Sequence, residues 1–454
     1  MIAATTFSGK KVALVGLGGS GIATALALQA GGASIEAYDD NKDRMDAAAE
    51  QGINIKDLKQ ADWNMYHALI LAPGIPLTHP VPHWSVHMAQ RAGIEIIGDL
   101  ELFYREKKAC ASASKIIAIT GTNGKSTTTA LISHILREAG LDVQMGGNIG
   151  TAVLSLEPFH DNRVYVVECS SFQIDLAPSL HPDIGVLLNL SPDHIDRHGS
   201  MENYASLKER LVRNSDLSIL GDDDLYMQAI NARIDGKKII FSAQHDLADG
   251  FFMHGQDITG KCDKTECKVA ELQGISTLRG RHNAQNACAA AAVAYAMNIS
   301  LPVFNAALQS FPGLPHRMEQ VGAKKRTLFI NDSKATNADS AEKALQALDN
   351  IFWILGGKPK EGGITSLIPL FPKITKAYLI GEASDAFAET LNGKVPFEKC
   401  GTLDIAVARA AEDALTHDGE ENTVLLSPAC ASYDQYPNFE VRGDHFRSLV
   451  SKLI

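Results

Sequence analysis

The stretch IIAITGTNGKSTTTALISHIL, residues 116–136, decides how the rest of the chain is read. It opens with an apolar run, Ile116 to Ile119, of the length and composition of a buried strand. It closes with a helical pattern that puts Leu131, Ile132, Ile135 and Leu136 on one face. Between them lies Gly121-Thr122-Asn123-Gly124-Lys125-Ser126-Thr127. Two glycines let the backbone wrap an anion, and the amides at the helix start point towards it. Lys125 can reach the outer phosphates of a nucleotide, and the Ser126 hydroxyl can bind Mg²⁺. Ile119 stands where the longer G-x-x-x-x-G-K-[ST] form has its first glycine, so this is a shortened version of that loop.

The chain is too long for one ordinary core: 454 residues imply two to four domains. A hydrophobic share of 45% and a charged share of 21% belong to a soluble globular protein. The formal net charge of −11 argues against wholesale nucleic-acid binding and demands that cations for phosphates be placed locally. No apolar run reaches 18 residues and the N-terminus has no long apolar segment, so we expect a cytoplasmic protein without membrane insertion. Seven scattered cysteines do not make a disulfide framework, and Cys262 with Cys267 lacks a second pair at zinc spacing.

Upstream of the phosphate loop, a strand from Lys10 to Val15 runs into Gly16-Leu17-Gly18-Gly19-Ser20-Gly21 and an Ala/Leu-rich helix. A second strand, Ser34 to Tyr38, ends at Asp39 and Asp40. A G-x-G-x-x-G turn followed by an acid some 20 residues on is the pattern of a dinucleotide fold, with a diphosphate on the helix start and a carboxylate near a ribose or base. Taken alone the segment points to NAD. Leu69 to Ile75 reads as a buried strand turning at the same edge, with Gly74 in the turn.

Downstream, Gly146 to Gly150 makes another glycine-rich turn around Asn148. The strand Tyr165 to Val167 ends in Glu168, where ligands of an α/β sheet bind, so Glu168 is a candidate metal ligand. The next strand, Ile184 to Leu190, delivers Asp193 and His194 to that edge. Lys208 sits in a polar helix, Met201 to Val212, and the chemistry of such a helix alone predicts a solvated amine. Residues 238–280 read as short strands and hairpins, before an Ala-rich helix carrying Asn283 and Asn286. Phe311-Pro-Gly-Leu-Pro315 reads as a linker. A third α/β unit follows, whose strand ends carry Asp332-Ser333-Lys334-Ala335-Thr336, Gly356-Gly357-Lys358-Pro359-Lys360 and Ser427 to Asp434.

Four segments fit one family: GTNGKST, LSPDHIDRHG (190–199), PGLPHRMEQV (312–321) with NDSKATN (331–337), and LLSPACASYDQYPNFEVRGDHF (425–446). Together they resemble the Mur ligases over essentially the whole chain, and the last two resemble the branch that joins D-glutamate to UDP-N-acetylmuramoyl-L-alanine. The resemblance implies an α/β protein of three domains. These are a Rossmann-like UDP-binding domain (1–105), a central P-loop ATPase domain (106–312) and a C-terminal Rossmann-like, amino-acid-binding domain (313–454). It implies a monomer using ATP and Mg²⁺, two ions in all, with an acyl-phosphate intermediate, and it replaces NAD by the UDP of the substrate. Gly19, Ser20, Asp39, Asp40, Gly74 and Asn148 then line the UDP side. Gly121 to Thr127, Asn283, Asn286, Arg317 and Asp332 take ATP, with His316 nearby. Ser126, Glu168, His194 and Lys208 hold metal, with Asp193 beside His194 and Lys208 carbamylated by CO₂. Lys125, His194, Lys208 and Lys334 carry the catalysis. Thr336, Lys360, Ser432, Tyr433 and Phe439 receive D-glutamate, with Arg442 just beyond and Lys358 the alternative to Lys360. A folylpolyglutamate synthetase shares the loop but not the first domain or the SPACAS segment. A dinucleotide-dependent oxidoreductase would leave the phosphate loop and the third unit without a use.

Overall fold

The computed structural model describes residues 1–262, 265–359, 362–419 and 421–454. They form two compact units, one of residues 1–273 with 281–310, the other of 274–280 with 311–454.

The first unit contains two sheets. The smaller is parallel, built from β1 (Lys11–Val15), β2 (Ser34–Tyr38), β3 (Ala68–Leu71) and β4 (Glu95–Ile97), in the order β2-β1-β3-β4. β1 and β3 are almost wholly buried, as expected of strands covered on both faces. Because β2 and β3 lie on opposite sides of β1, the order reverses there, and the loops after β1 and β3 open a crevice at the strand ends. The turn after β1 packs tightly: a Cβ on Gly21 would lie 1.8 Å from the carbonyl oxygen of Gly16.

The larger sheet has nine strands: β5 (Lys115–Thr120), β6 (Asp142–Gly147), β7 (Arg163–Glu168), β8 (Ile184–Leu187), β9 (Leu217–Gly221), β10 (Lys238–Ser242), β11 (Gly250–His254), β12 (Asp257–Cys262) and β13 (Thr265–Glu271). Their order is β13-β12-β11-β10-β9-β8-β5-β7-β6, parallel from β6 to β11 and antiparallel at the hairpin edge. β5 lies between β7 and β8, again where the strand order reverses, so the phosphate loop emerges at a position built for ligands. Behind it the helix Lys125–Glu138 buries Leu131, Ile132, Ile135 and Leu136, the face expected from the sequence.

Residue 105 falls inside the helix Asp99–Cys110 rather than at a break. That helix ties the two sheets together, which is why they pack as one unit. Glu101 takes the backbone N–H and hydroxyl of Ser179, Glu106 takes both threonine hydroxyls of the N-terminal segment, and Gly98 N–H donates to the Leu176 carbonyl.

The second unit is built on β14 (Glu319–Lys324), β15 (Thr327–Asn331), β16 (Ile351–Gly356), β17 (Ile374–Ile380), β18 (Phe397–Gly401) and β19 (Asn422–Leu426). The order is β14-β15-β19-β16-β17-β18, with only the β14–β15 pair antiparallel. The last strand inserts between β15 and β16, so the loops after β15, β16 and β19 become neighbours although they start near residues 332, 357 and 427. Trp353, wholly buried in β16, anchors the arrangement by donating its indole N–H to the Ser427 carbonyl at 2.8 Å.

Gly21→Ala should lower thermal stability by about 1–3 kcal/mol, because its methyl meets backbone that cannot yield cheaply. Denaturant unfolding of the two proteins, compared at equal m-value, checks this; an unchanged midpoint would contradict the packing described.

Candidate functional site

In the first unit the phosphate loop is held from behind, and two of its own amides, those of Thr122 and Asn123, are tied to Asn189. Asn189 Oδ1 accepts the Asn123 N–H at 2.9 Å, and Asn189 Nδ2 is itself fixed by Gln285 at 2.7 Å. Gly124 has φ of 82°, and a Cβ there would sit 2.3 Å from Asn286 Oδ1, so only glycine fits. Asn286 is buried, accepting from Thr128 Oγ1 and donating to Asn283 Oδ1, both at 3.1 Å. The two asparagines therefore brace the loop. Lys125 folds over it, its Nζ on the carbonyls of Gly121 (2.9 Å) and Thr122 (2.8 Å). Ser126 and Thr127 occupy the first turn of the helix, where its orphan amides lie.

Lys208 departs from the solvated amine that its polar helix predicts: the residue is 1% exposed. The helix Met201–Arg213 turns its Tyr204–Lys208 face inward, and the amine donates to Gly121 O at 2.9 Å and Thr120 Oγ1 at 3.1 Å. It lies 4.8 Å from the centre of the Tyr204 ring. Burial, followed by the like charge of Lys125, pushes its pKa well below the ordinary lysine value. Tyr204 escaped the sequence reading. Its hydroxyl pairs with Thr122 Oγ1 at 3.1 Å, and its place one turn before Lys208 was the available signal.

Glu168 ends β7 at 2% exposure. Its Oε1 accepts from Asn148 Nδ2 at 2.8 Å, while Oε2 is buried with no hydrogen-bond partner among the described residues. A buried carboxylate oxygen left without a donor is costly unless a cation meets it. His194 has φ of 51°, its side chain is half exposed, and Asp193 Oδ2 lies 3.5 Å from its Nε2. Among the described residues no three His, Cys, Asp or Glu side chains converge as a metal cage. A cation here would need ligands other than His, Cys, Asp or Glu side chains to complete its shell. His198, one turn on, is buried against Phe172 with its Nε2 2.8 Å from Ser171 Oγ. Burial above all, then the charge of Lys208, lowers its pKa to about 4.

On the small sheet, Gly19 and Ser20 open the helix Gly19–Ala30 and Gly74 lies in the loop after β3, its carbonyl accepting from Arg197 Nη1 at 3.3 Å. Asp39 and Asp40 differ sharply: Asp39 is buried and Asp40 exposed.

The second unit gathers its own candidates at the ends of β15, β16 and β19. Asp332 is buried, its Oδ2 accepting from Ser427 Oγ at 2.8 Å and its Oδ1 from Met318 N–H at 3.2 Å. Desolvation raises its pKa to about 7. Arg317 keeps a buried Nε with no hydrogen-bond partner among the described residues, and His316, at φ 61°, places Nδ1 3.1 Å from Asn331 Nδ2. Lys334 Nζ stands 5.4 Å from the centre of the Phe439 ring. Thr336 N–H donates to the Lys334 carbonyl at 2.9 Å. Ser432 is buried, whereas Tyr433 is 71% exposed. Arg442 is fully buried and joins two loops, donating to Ser333 Oγ and O and to the Cys430 carbonyl. Lys358 N–H pairs with the Ala431 carbonyl at 2.9 Å and its side chain is exposed; Lys360 lies outside the described residues.

A family model described as the Mur ligase middle domain matches residues 119–294, and one described as the Mur ligase glutamate ligase domain matches residues 316–430. A UDP-N-acetylmuramoylalanine–D-glutamate ligase of Rhizobium johnstonii is 55% identical over all of this chain and 97% of its own length. Enzymes of the same name from Rhizobium meliloti and Brucella abortus are each 57% identical, over all of this chain and 98% of theirs. Among solved structures, the UDP-N-acetylmuramate-alanine ligase MurC of Thermotoga maritima matches 98% of this chain and 100% of its own, with a TM-score of 0.58 at 18% identity. The MurF ligase of Thermotoga maritima in complex with ADP matches 91% and 92%, with a TM-score of 0.56 at 16% identity.

The lowered pKa of His198 makes a signed prediction. The unfolded chain takes up the proton first as pH falls, so the stability this group contributes is complete above about 6.5 and is lost towards 4. The loss amounts to about 3 kcal/mol. Chemical denaturation across this range should show a shallower acid slope for His198→Asn than for the parent; parallel slopes would refute the assignment.

Proposed function

The chain belongs to the Mur ligase family, and we propose that it joins D-glutamate to UDP-N-acetylmuramoyl-L-alanine at the expense of ATP, a step in peptidoglycan precursor synthesis. The observation that carries this reading is the full-length relation, at 55–57% identity, to ligases of that name. We place the reaction in a single cytoplasmic chain. Residues 1–105 would hold UDP, 106–312 ATP, and 313–454 the amino acid.

A carboxylate is a poor acyl donor because oxide is a poor leaving group. The alanyl carboxylate therefore takes the γ-phosphoryl group of ATP, releasing ADP and forming an acyl phosphate. The neutral amine of D-glutamate attacks the acyl carbon, the C–O bond to phosphate breaks, and the amine loses its proton as the amide forms. The amides between Gly121 and Thr127 that Asn189 does not engage, with Lys125, would cradle the phosphates. Asn283 and Asn286 keep that loop in shape, and Arg317 and Asp332 would contact the nucleotide from the second unit's own strand ends. Lys334 would meet developing negative charge, and Thr336, Ser432, Tyr433 and Phe439 would receive D-glutamate, with Lys360 or Lys358 a carboxylate partner.

The unpartnered oxygen of Glu168 and the imidazole of His194 suit Mg²⁺, with Ser126 as a hydroxyl donor. Two such ions, when bound, would offset charge on the transferring phosphoryl group. Lys208 fits this set only if its sign is inverted. Its buried amine is held towards the neutral form, the form that CO₂ carbamylates, and a carbamate would supply oxygen ligands.

The direct test offers UDP-N-acetylmuramoyl-L-alanine and ATP with D-glutamate, L-glutamate, L-lysine or meso-diaminopimelate, and identifies the product by mass. D-Glutamate alone should be incorporated efficiently, since inverting the stereocentre leaves charged groups of the pocket unpaired. Comparable kcat/KM for both glutamate enantiomers would overturn the reading. Lys208→Ala should be nearly inactive and be partly restored by added short carboxylates, whereas Lys208→Arg should not recover, since a guanidinium stays charged. Full activity in Lys208→Arg would exclude the carbamate.

A further inference from the structure

Two adjacent carboxylates end β2, and their surroundings divide their duties. Asp39 is buried with both oxygens engaged: Oδ2 accepts the Leu17 N–H at 2.6 Å and Oδ1 the Asn41 N–H at 2.8 Å. It fastens the glycine-rich turn after β1 to the end of β2 and has little left to offer a ligand. Asp40 has a side chain 58% exposed, and its Oδ2 lies 3.0 Å from Nε2 of His83. Among the described residues no hydrogen bond reaches its Oδ1.

His83 arrives from 43 positions further along the chain, and its side chain is only 10% exposed. Its ring is fixed on the other side. Nδ1 accepts the Ser85 backbone N–H at 3.4 Å, capping the helix Trp84–Arg91, and lies 2.7 Å from Ser85 Oγ. A ring nitrogen that accepts an N–H carries no proton, so in the neutral imidazole the proton is on Nε2 and is donated to Asp40. The ring packs on Trp84 at 5.0 Å between centroids, and Trp84 meets Tyr38 of β2 edge-on at 5.3 Å. Asp39 already closes the turn after β1, whereas His83 caps the helix Trp84–Arg91 through Nδ1 and leaves Nε2 for Asp40.

We propose that His83 is a positioning residue, holding Asp40 as the carboxylate that reads the nucleobase of the UDP-linked substrate. This rests on the reading above that the strand ends of the small sheet receive UDP. The chemistry is one of hydrogen-bond sign. Uracil presents an imide N–H at N3, a donor, whereas cytosine presents a lone pair there. With Oδ2 tied to His83, Asp40 offers Oδ1 as an acceptor in a set direction, which welcomes uracil and repels cytosine.

The test measures UDP and CDP binding to the full chain by calorimetry, together with KM and kcat for UDP-N-acetylmuramoyl-L-alanine. The parent should prefer UDP. His83→Ala should weaken UDP about tenfold, as expected for one charge-assisted bond, while CDP changes less than twofold. KM for the UDP-linked substrate should rise in step, with kcat little altered. His83→Gln, whose amide can still donate to Asp40, should recover most of the loss. Asp40→Asn, which can present an N–H to the base, should shift preference towards CDP. If His83→Ala binds UDP as the parent does, or loses UDP and CDP by the same factor, the inference falls. A parent that forms product yet binds UDP and CDP alike overturns it too. A parent that neither binds UDP nor forms product overturns the underlying functional reading, and the inference with it.

Discussion

An amide that faces an anion cannot also hold its loop together, and in the first unit the Thr122 and Asn123 amides do the holding, both on Asn189, while further ties must come from elsewhere. The work passes to side chains behind the loop. Asn189 takes the Asn123 N–H, Asn286 fills the space that a Cβ on Gly124 would need, and Tyr204 ties Thr122. Those residues come from the end of β8, the helix Arg281–Ala296 and the helix Met201–Arg213. The shape of seven residues at the end of β5 thus depends on the packing of elements up to 160 positions away, and rigidity at the loop is a property of the whole unit.

The same unit places ionisable groups where water cannot pay for their charge. Lys208, Glu168 and His198 are all nearly excluded from solvent within the elements that surround the loop. Such groups cost stability when isolated, and burial moves the lysine and the histidine towards their neutral forms. The lysine and histidine pKa values fall for that reason. A fold that tolerates this is equipped to bind charge: among the described residues Glu168 Oε2 has no hydrogen-bond partner, and a cation would supply one. The second unit shows the same trait in Asp332, raised to about 7, and in Arg442, whose hydrogen bonds go to Ser333 and to the Cys430 carbonyl rather than to a carboxylate.

Strand insertion is the second organising device. Each of the three sheets reverses its order at one place, β1, β5 and the β15–β19–β16 junction, and the glycine-rich or acid-bearing loops lie there. The apparent dinucleotide signal at Gly16–Gly21 belongs to this geometry and not to a particular cofactor. It specifies a helix start facing a diphosphate, which NAD and UDP both carry.

The sequence by itself determined the local elements. Apolar runs marked β1, β5 and β7 to within about two residues, and the face of the helix Lys125–Glu138 followed from 3.6-residue spacing, because burial of a strand or helix face is a short-range pattern. The motif residues identified the phosphate loop and, through resemblance, the family. What only the tertiary structure decided was the environment of single side chains. Lys208 looks like a surface lysine on its polar helix and is buried, since burial depends on which face docks against β8 and β9. Tyr204 and Asn189 gained their tasks the same way. The neighbouring Asp39 and Asp40 are indistinguishable in the chain, and only the arrival of the Leu17 amide at one and the His83 ring at the other separates them. Hydrogen-bond partners tens of residues apart leave no periodic trace in a sequence, so they become visible only once the chain is folded.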